Sequence, residues 1–171
     1  MILINILKIA NFAIPFVVAT PHGPASQKIS YCGDGKILIS DAERLALFQE
    51  YNQQLHFKKD IAGAFAKYVS PDLIEHTQSA GTYDDNMAFL KATLPFVNIT
   101  IISGLVSCGR SIDSQPICSL HYKVVPNSPS AGITNTSVVT DVYRYEDSCI
   151  VEHWDSLLVG SAATTNPNWP G

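Results

Sequence analysis

From Ser40 onward, apolar positions recur at helical intervals. Leu45, Phe48, Tyr51 and Leu55 are spaced three or four residues apart, and Ser40 and Asp41 stand as N-cap candidates with Glu43 in the first turn. This spacing predicts a first helix through about His56. A second helical stretch runs from Lys59 to Tyr68, carries Ile61, Phe65 and Tyr68 on one side, and ends before Ser70-Pro71. A third runs from Tyr83 to Leu94, after the Gly81 turn and up to Pro95. Beyond Pro95 the pattern becomes β-branched and alternating, and predicts strands at about 97–107, 116–125, 136–145 and 150–159. Asn127 to Gly132 reads as a loop, and Glu146-Asp147-Ser148-Cys149 as a tight hairpin turn. Three helices followed by a run of antiparallel strands give an α+β fold, with the helices covering one face of a curved sheet of four or more strands. Such a sheet leaves a pocket under the helices.

The flanks read differently. Residues 1–19 carry one charge, Lys8, then an apolar run from Ile9 to Ala19 that is shorter than a bilayer span and ends in Val17-Val18-Ala19 before Thr20. They predict a signal peptide cleaved after Ala19, a secreted product, and no membrane contact after cleavage. Residues 20–40 are rich in Pro, Gly and Ser and predict a loose arm tied down at Cys32, residues 41–160 the folded domain, and residues 161–171 a Pro- and Asn-rich tail.

The four cysteines, Cys32, Cys108, Cys118 and Cys149, all lie beyond the signal, and an even count in an exported chain suggests two disulfides. Three pairings are open. The loop from Gly109 to Gln115 lets Cys108 face Cys118 across its base, which leaves Cys32 for Cys149. Asn98-Ile99-Thr100 and Asn135-Thr136-Ser137 are glycosylation sequons at Asn98 and Asn135. The net charge of −4 provides no cationic footprint for a phosphate backbone, so nucleic acid is not an expected partner.

The densest polar stretch is Asp141 to Tyr145, a turn, then Ile150 to Asp155. A two-residue turn at Asp147-Ser148 sets Tyr145 opposite Ile150, Tyr143 opposite Glu152 and Asp141 opposite Trp154. Those six then share an aromatic face with two carboxylates, while Val142, Arg144, Val151, His153 and Asp155 take the other. One residue more or less in the pairing swaps this assignment. An inward carboxylate on an apolar face is costly without a use or a partner, which makes Asp141 the leading site candidate.

The segment from Asp141 to Asp155, with its Ile-Val-Glu-His-Trp-Asp strand, resembles the C-terminal signature of SnoaL-like polyketide cyclases in the nuclear-transport-factor-two-like superfamily. Leu73-Ile74-Glu75-His76 and Leu120-His121 resemble two histidine elements of the same family, so the likeness spans roughly residues 41–160. It implies a cone of helices on a curved sheet, a dry pocket for a small apolar molecule, and proton-transfer chemistry without a metal or other cofactor. Carried over, Asp141 is the acid/base and His121 or His76 steadies the developing oxyanion, with Tyr143, Trp154 and Glu152 as pocket wall. His76, His121 and His153 have no metal-ligand spacing. The implied function is a cofactor-independent lyase or isomerase, an aldol-type cyclase or relative, acting on a small carbonyl compound. The alternatives are a secreted binding protein without catalysis and an assembly domain that forms a homodimer through the exposed sheet face.

Overall fold

The computed structural model describes residues 30–78, 80–128 and 135–160, without the side chains of 103–105. The expected signal segment 1–19, the part of the expected arm before Ser30 and the expected tail 161–171 lie outside the described residues, as does most of the 127–132 loop. In chain order the elements are α1 (Asp41–Asn52), α2 (Ile61–Tyr68), β1 (Val69–Glu75), α3 (Tyr83–Thr93), β2 (Val97–Arg110), β3 (Pro116–Pro126), β4 (Ser137–Glu146) and β5 (Cys149–Val159). The sheet order is β1-β5-β4-β3-β2.

Each helix start has a local cause. The Ser40 side chain accepts from the Glu43 N–H while the Glu43 carboxylate returns to the Ser40 backbone, a reciprocal pair that satisfies two orphan donors. Asp60 caps α2 through Gly63 N–H, and Thr82 caps α3 through Asp85 N–H. α1 does not stop at Asn52 but widens into one π-type turn, Gln53–Phe57. Turns of that kind interrupt helices mostly at functional positions.

The helices lay their apolar stripe on the concave face of the sheet. Phe48 and Tyr51 from α1, Leu55 from its π turn and Ile61, Ala64, Phe65 and Tyr68 from α2 are buried in one cluster with Leu120, Tyr122, Tyr143, Tyr145 and Ile150. The aromatic rings interlock: Phe48 and Tyr51 each pack edge-on against Tyr143, at 5.4 and 5.6 Å between centroids.

A strand appears where the sequence pattern places none. β1 leaves α2 without a loop and pairs parallel to β5, with Ile74 beside Glu152 and Glu75 beside His153. Ser70, Pro71 and Asp72 hide it, because they break the alternation by which a strand is recognised. An edge position tolerates that proline. The sheet is therefore mixed, its antiparallel run β5-β4-β3-β2 extended by one parallel edge.

The arm from Ser30 to Ser40 is anchored. Cys32 is bonded to Cys149, and Ser148 Oγ donates to Tyr31 O (2.8 Å) and accepts from Ile37 N–H (3.0 Å). Cys108 is bonded to Cys118 at a directly paired position of β2 and β3. Among the described residues there is no free cysteine.

Candidate functional site

The site is decided by one irregularity between β4 and β5. Tyr145 pairs with Ile150, but Arg144 pairs with Glu152, so Val151 is an extra residue and the ladder beyond it is shifted by one. Both Ile150 and Val151 are buried, Ile150 in the main core and Val151 in a second cluster with the Cys32–Cys149 bridge. The disulfide thus seats the bulge. Beyond it Tyr143 pairs with His153 and Asp141 with Asp155, in place of the expected partners Glu152 and Trp154. The regular two-residue pairing is corrected: His153 faces the concave side, and Glu152 and Trp154 face the convex one.

On the concave side, β1, β5 and β4 bring three ionisable groups into line. His153 Nδ1 lies 2.8 Å from Glu75 Oε1, and His153 Nε2 lies 3.6 Å from Asp141 Oδ1, an ion-pair distance too long for a hydrogen bond. All three residues are buried. Glu75 is held from several directions: it accepts from the backbone N–H groups of His76 (3.1 Å) and Thr77 (3.2 Å) and from the Asn86 side-chain amide. Asp141 accepts from the Tyr143 hydroxyl at 3.1 Å. The Tyr143 ring in turn stacks on His153, 4.4 Å between centroids.

The electrostatics follow from burial and these neighbours. Burial alone pushes the His153 imidazole down, but the negative charges of Asp141 and Glu75 overcome it and hold its pKa up at about 10. At neutral pH His153 is an imidazolium between two carboxylates. Tyr143 and Tyr122 are pushed up, by burial first and by Asp141 second, so both stay protonated donors. Asp155, at the open edge of the row, is raised by partial burial and then by Asp141. The result is a buried pair of carboxyl groups, a cation that keeps its proton between them, and phenols that keep theirs and can donate. A base and hydrogen-bond donors in a dry setting are the requirements for moving a proton.

The other candidates are placed elsewhere. His121 lies on the convex face of β3, with Nδ1 2.6 Å from Thr140 Oγ1. His76 points to the same convex side, where Nε2 meets Glu152 Oε1 at 2.8 Å and the ring stacks on Trp154 at 4.9 Å. Arg144 Nε closes that group by donating to Glu152 Oε2 at 2.6 Å. Asp141 and Tyr143 therefore meet His153, which in turn reaches Glu75, and they meet neither His121 nor His76. Sequence reasoning missed Glu75, because β1 itself was hidden. It set His153 on the wrong face because the bulge residues are both apolar and give no local sign.

A cleft of about 240 Å³ opens between the end of α1, its π turn and strands β2 and β3. Gln49, Asn52, Gln53 and Phe57 form one wall, and Ile101, Val106 and Leu120 the other. Leu120 is the register partner of Asp141, so the cleft floor lies one strand from the buried carboxylate. Tyr51, Tyr122, Tyr143 and Tyr145 are buried between the helices and the sheet.

No model of a known protein family matches the chain, and no curated protein matches it in sequence. Solved structures do match. AclR from Streptomyces galilaeus aligns over 70% of this chain and 81% of its own, with 21% identity and a TM-score of 0.51. A steroid delta-isomerase from Pseudomonas aeruginosa aligns over 71% and 84%, with 16% identity and a TM-score of 0.51. A protein provisionally described as a ketosteroid isomerase, from Kribbella flavida, aligns over 71% and 82%, with 11% identity and a TM-score of 0.55. What is shared at these identities is the fold, helices packed on one face of a curved sheet.

Proposed function

We propose that the protein is a cofactor-independent lyase or isomerase that moves a proton on a small, mostly apolar carbonyl compound, with Asp141 as the acid/base. The observation that carries this reading is the buried Glu75–His153–Asp141 row beside an apolar cleft. Two carboxyl groups flank one imidazolium, and Asp141 is the one that pairs in register with Leu120 of the cleft floor. The steroid isomerase among the structures with this fold performs chemistry of the same class. Tyr143 donates to Asp141 and the His153 imidazolium lies beside it, so both steady the carboxylate while it is ionised, and that charge is discharged when Asp141 takes the substrate proton.

The test does not need the natural substrate. Deuterium exchange at the α-carbons of 2-tetralone in D₂O, followed by NMR, reports proton abstraction directly. The wild type is expected to exceed the buffer rate, and Asp141→Asn to lose roughly 10²- to 10⁴-fold of that excess. Full activity in Asp141→Asn would remove Asp141 from the role.

A second reading is a binding protein without chemistry. It is favoured by one fact: the cleft wall ends at Leu120, with Asp141 behind it. Binding of 2-tetralone with exchange no faster than buffer would establish that reading instead. We also propose that the protein is exported, with cleavage after Ala19 and glycans at Asn98 and Asn135. Two disulfides in a small domain support this, and both asparagines are exposed. Intact mass of secreted material, before and after deglycosylation, decides it.

A further inference from the structure

Asn52 stands in the cleft wall with Gln49, Gln53 and Phe57, and His56, one turn further on in the π turn, is buried next to that wall without lining it. Both are buried, at 3% exposure each. Asn52 spends its Nδ2 on the Phe48 carbonyl at 2.7 Å, but its Oδ1 has no hydrogen-bond partner, and neither do both nitrogens of His56. Buried polar groups are rarely left this way, and three such atoms within one turn are a concentrated cost. The chain has also widened its helix into a π turn here, which displaces His56 from regular α-helical packing. His56 packs on Tyr122 at 5.0 Å between centroids, and Tyr122 pairs in register with Ile101 of the cleft wall.

We propose that this pair is a recognition site for a hydroxyl group, carried by a compact apolar ligand that enters the cleft. The proposal rests on the reading of the cleft as a small-molecule site and names the ligand chemistry that fits it. Burial holds the His56 imidazole down at about 4, so it is neutral and offers one N–H donor and one nitrogen acceptor. Asn52 Oδ1 can only accept. A hydroxyl matches both at once, since its O–H donates to Asn52 Oδ1 while its oxygen accepts from the His56 N–H. A ketone oxygen satisfies the histidine and leaves Asn52 unpaired. A carboxylate has no proton for Asn52 and would bring its charge next to Asp141. The remaining walls, Phe57, Ile101, Val106 and Leu120, suit a ring or a short branched hydrocarbon.

The experiment compares phenol with toluene, which have nearly the same shape and differ in the hydroxyl, by amide NMR titration of the full mature chain. Both should shift the amides of Gln49, Gln53, Val106 and Leu120. Phenol should bind roughly 10-fold tighter, since leaving such buried groups unpaired forfeits about that factor. His56→Phe and Asn52→Leu should each abolish the difference by weakening phenol and sparing toluene. If toluene binds as tightly as phenol, the hydroxyl site is wrong while the cleft reading stands. If neither ligand shifts these amides at saturation, the cleft is not a ligand site and both readings fall. The phenol-to-toluene ratio in the wild type decides the matter even if a variant does not fold.

Discussion

The two faces of the sheet carry the same chemistry in different surroundings. β1 ends in Glu75 and then His76; β5 carries Glu152 and then His153. Alternation sends one member of each neighbouring pair to each side. The two pairs therefore cross: His153 meets Glu75 on the concave face and His76 meets Glu152 on the convex face, each at 2.8 Å. Glu75 has a side chain 0% exposed, whereas the His76 side chain is 41% exposed. Geometry is matched, so the difference in behaviour is a difference in dielectric and in partners. On the concave side Asp141 and Glu75 together outweigh burial and hold the proton of His153 up to about pH 10. On the convex side partial burial raises the Glu152 carboxyl, and its bonds to Arg144 and His76 outweigh that and lower it. The first pair is a buried electrostatic device and the second a surface contact.

The comparison breaks most severely if the register is reset. Deleting Val151 removes the bulge, turns His153 to the convex face and drives Glu152 and Trp154 inward. Glu75 and Asp141 would be left buried without their cation, so the expected loss exceeds ~5 kcal/mol, and no cooperative unfolding transition should remain. A deletion variant that unfolds within 1 kcal/mol of wild type in urea would show that the bulge does not set the face.

Replacing His153 by Leu keeps the register and removes only the cation. Breaking one side of a buried charge pair costs ~3–5 kcal/mol, and here two carboxylates lose their partner together. Urea unfolding should place His153→Leu in that range. A smaller cost would mean that Asn86, Tyr143 and the backbone donors hold the carboxylates by themselves.

A gentler probe titrates the two buried histidines against each other. His153 keeps its proton to about pH 10 when folded but loses it near 6.5 when unfolded, so the folded chain holds the extra proton in between. Its contribution is complete below about 6.5 and is lost as pH rises through 10. His56 behaves oppositely: folded, it stays neutral down to about 4, so the unfolded chain takes up the extra proton between 4 and 6.5. Stability should therefore rise from pH 4 to about 6.5 and fall beyond it, with slopes up to ~1.4 kcal/mol per pH unit. His56→Phe should flatten the acid limb alone, and His153→Leu the alkaline limb alone.

How much of this was legible in the sequence differs element by element. The helices and the four long strands follow from spacing, because their apolar positions make a continuous core. Asp141 and Tyr143 were set on one face correctly, since β4 is regular from Ser137 to Arg144. The Cys108–Cys118 bridge was legible from the loop that separates two strands. β1 was not, because Pro71 and the polar residues around it suppress the pattern. The bulge was not either, since Ile150 and Val151 are both apolar whichever way they point, and only the Cys32–Cys149 bridge explains why both can be buried. His56 and Asn52 escaped notice for another reason. A search for an apolar stripe selects Phe48, Tyr51 and Leu55 and passes over polar residues on the neighbouring face.

The smallest expected effect belongs to the convex pair, and its smallness is what the comparison requires. His76→Ala removes an exposed imidazole whose bond to Glu152 is shared with Arg144, so Glu152 keeps a charged partner at 2.6 Å. Exposed pairs of this kind are worth ~0.2–1 kcal/mol, and the stacking on Trp154 adds about the same again at most. Total destabilisation should stay below ~2 kcal/mol. A double-mutant cycle with Glu152→Gln separates the two contributions, because the stacking survives the loss of the carboxylate. The coupling between His76 and Glu152 should fall further in 1 M salt, where exposed charges are screened within about 3 Å, while the cost of His153→Leu should hardly change. Equal salt dependence for the two pairs would mean that the concave row is open to solvent, and the case for a dry acid/base at Asp141 would go with it.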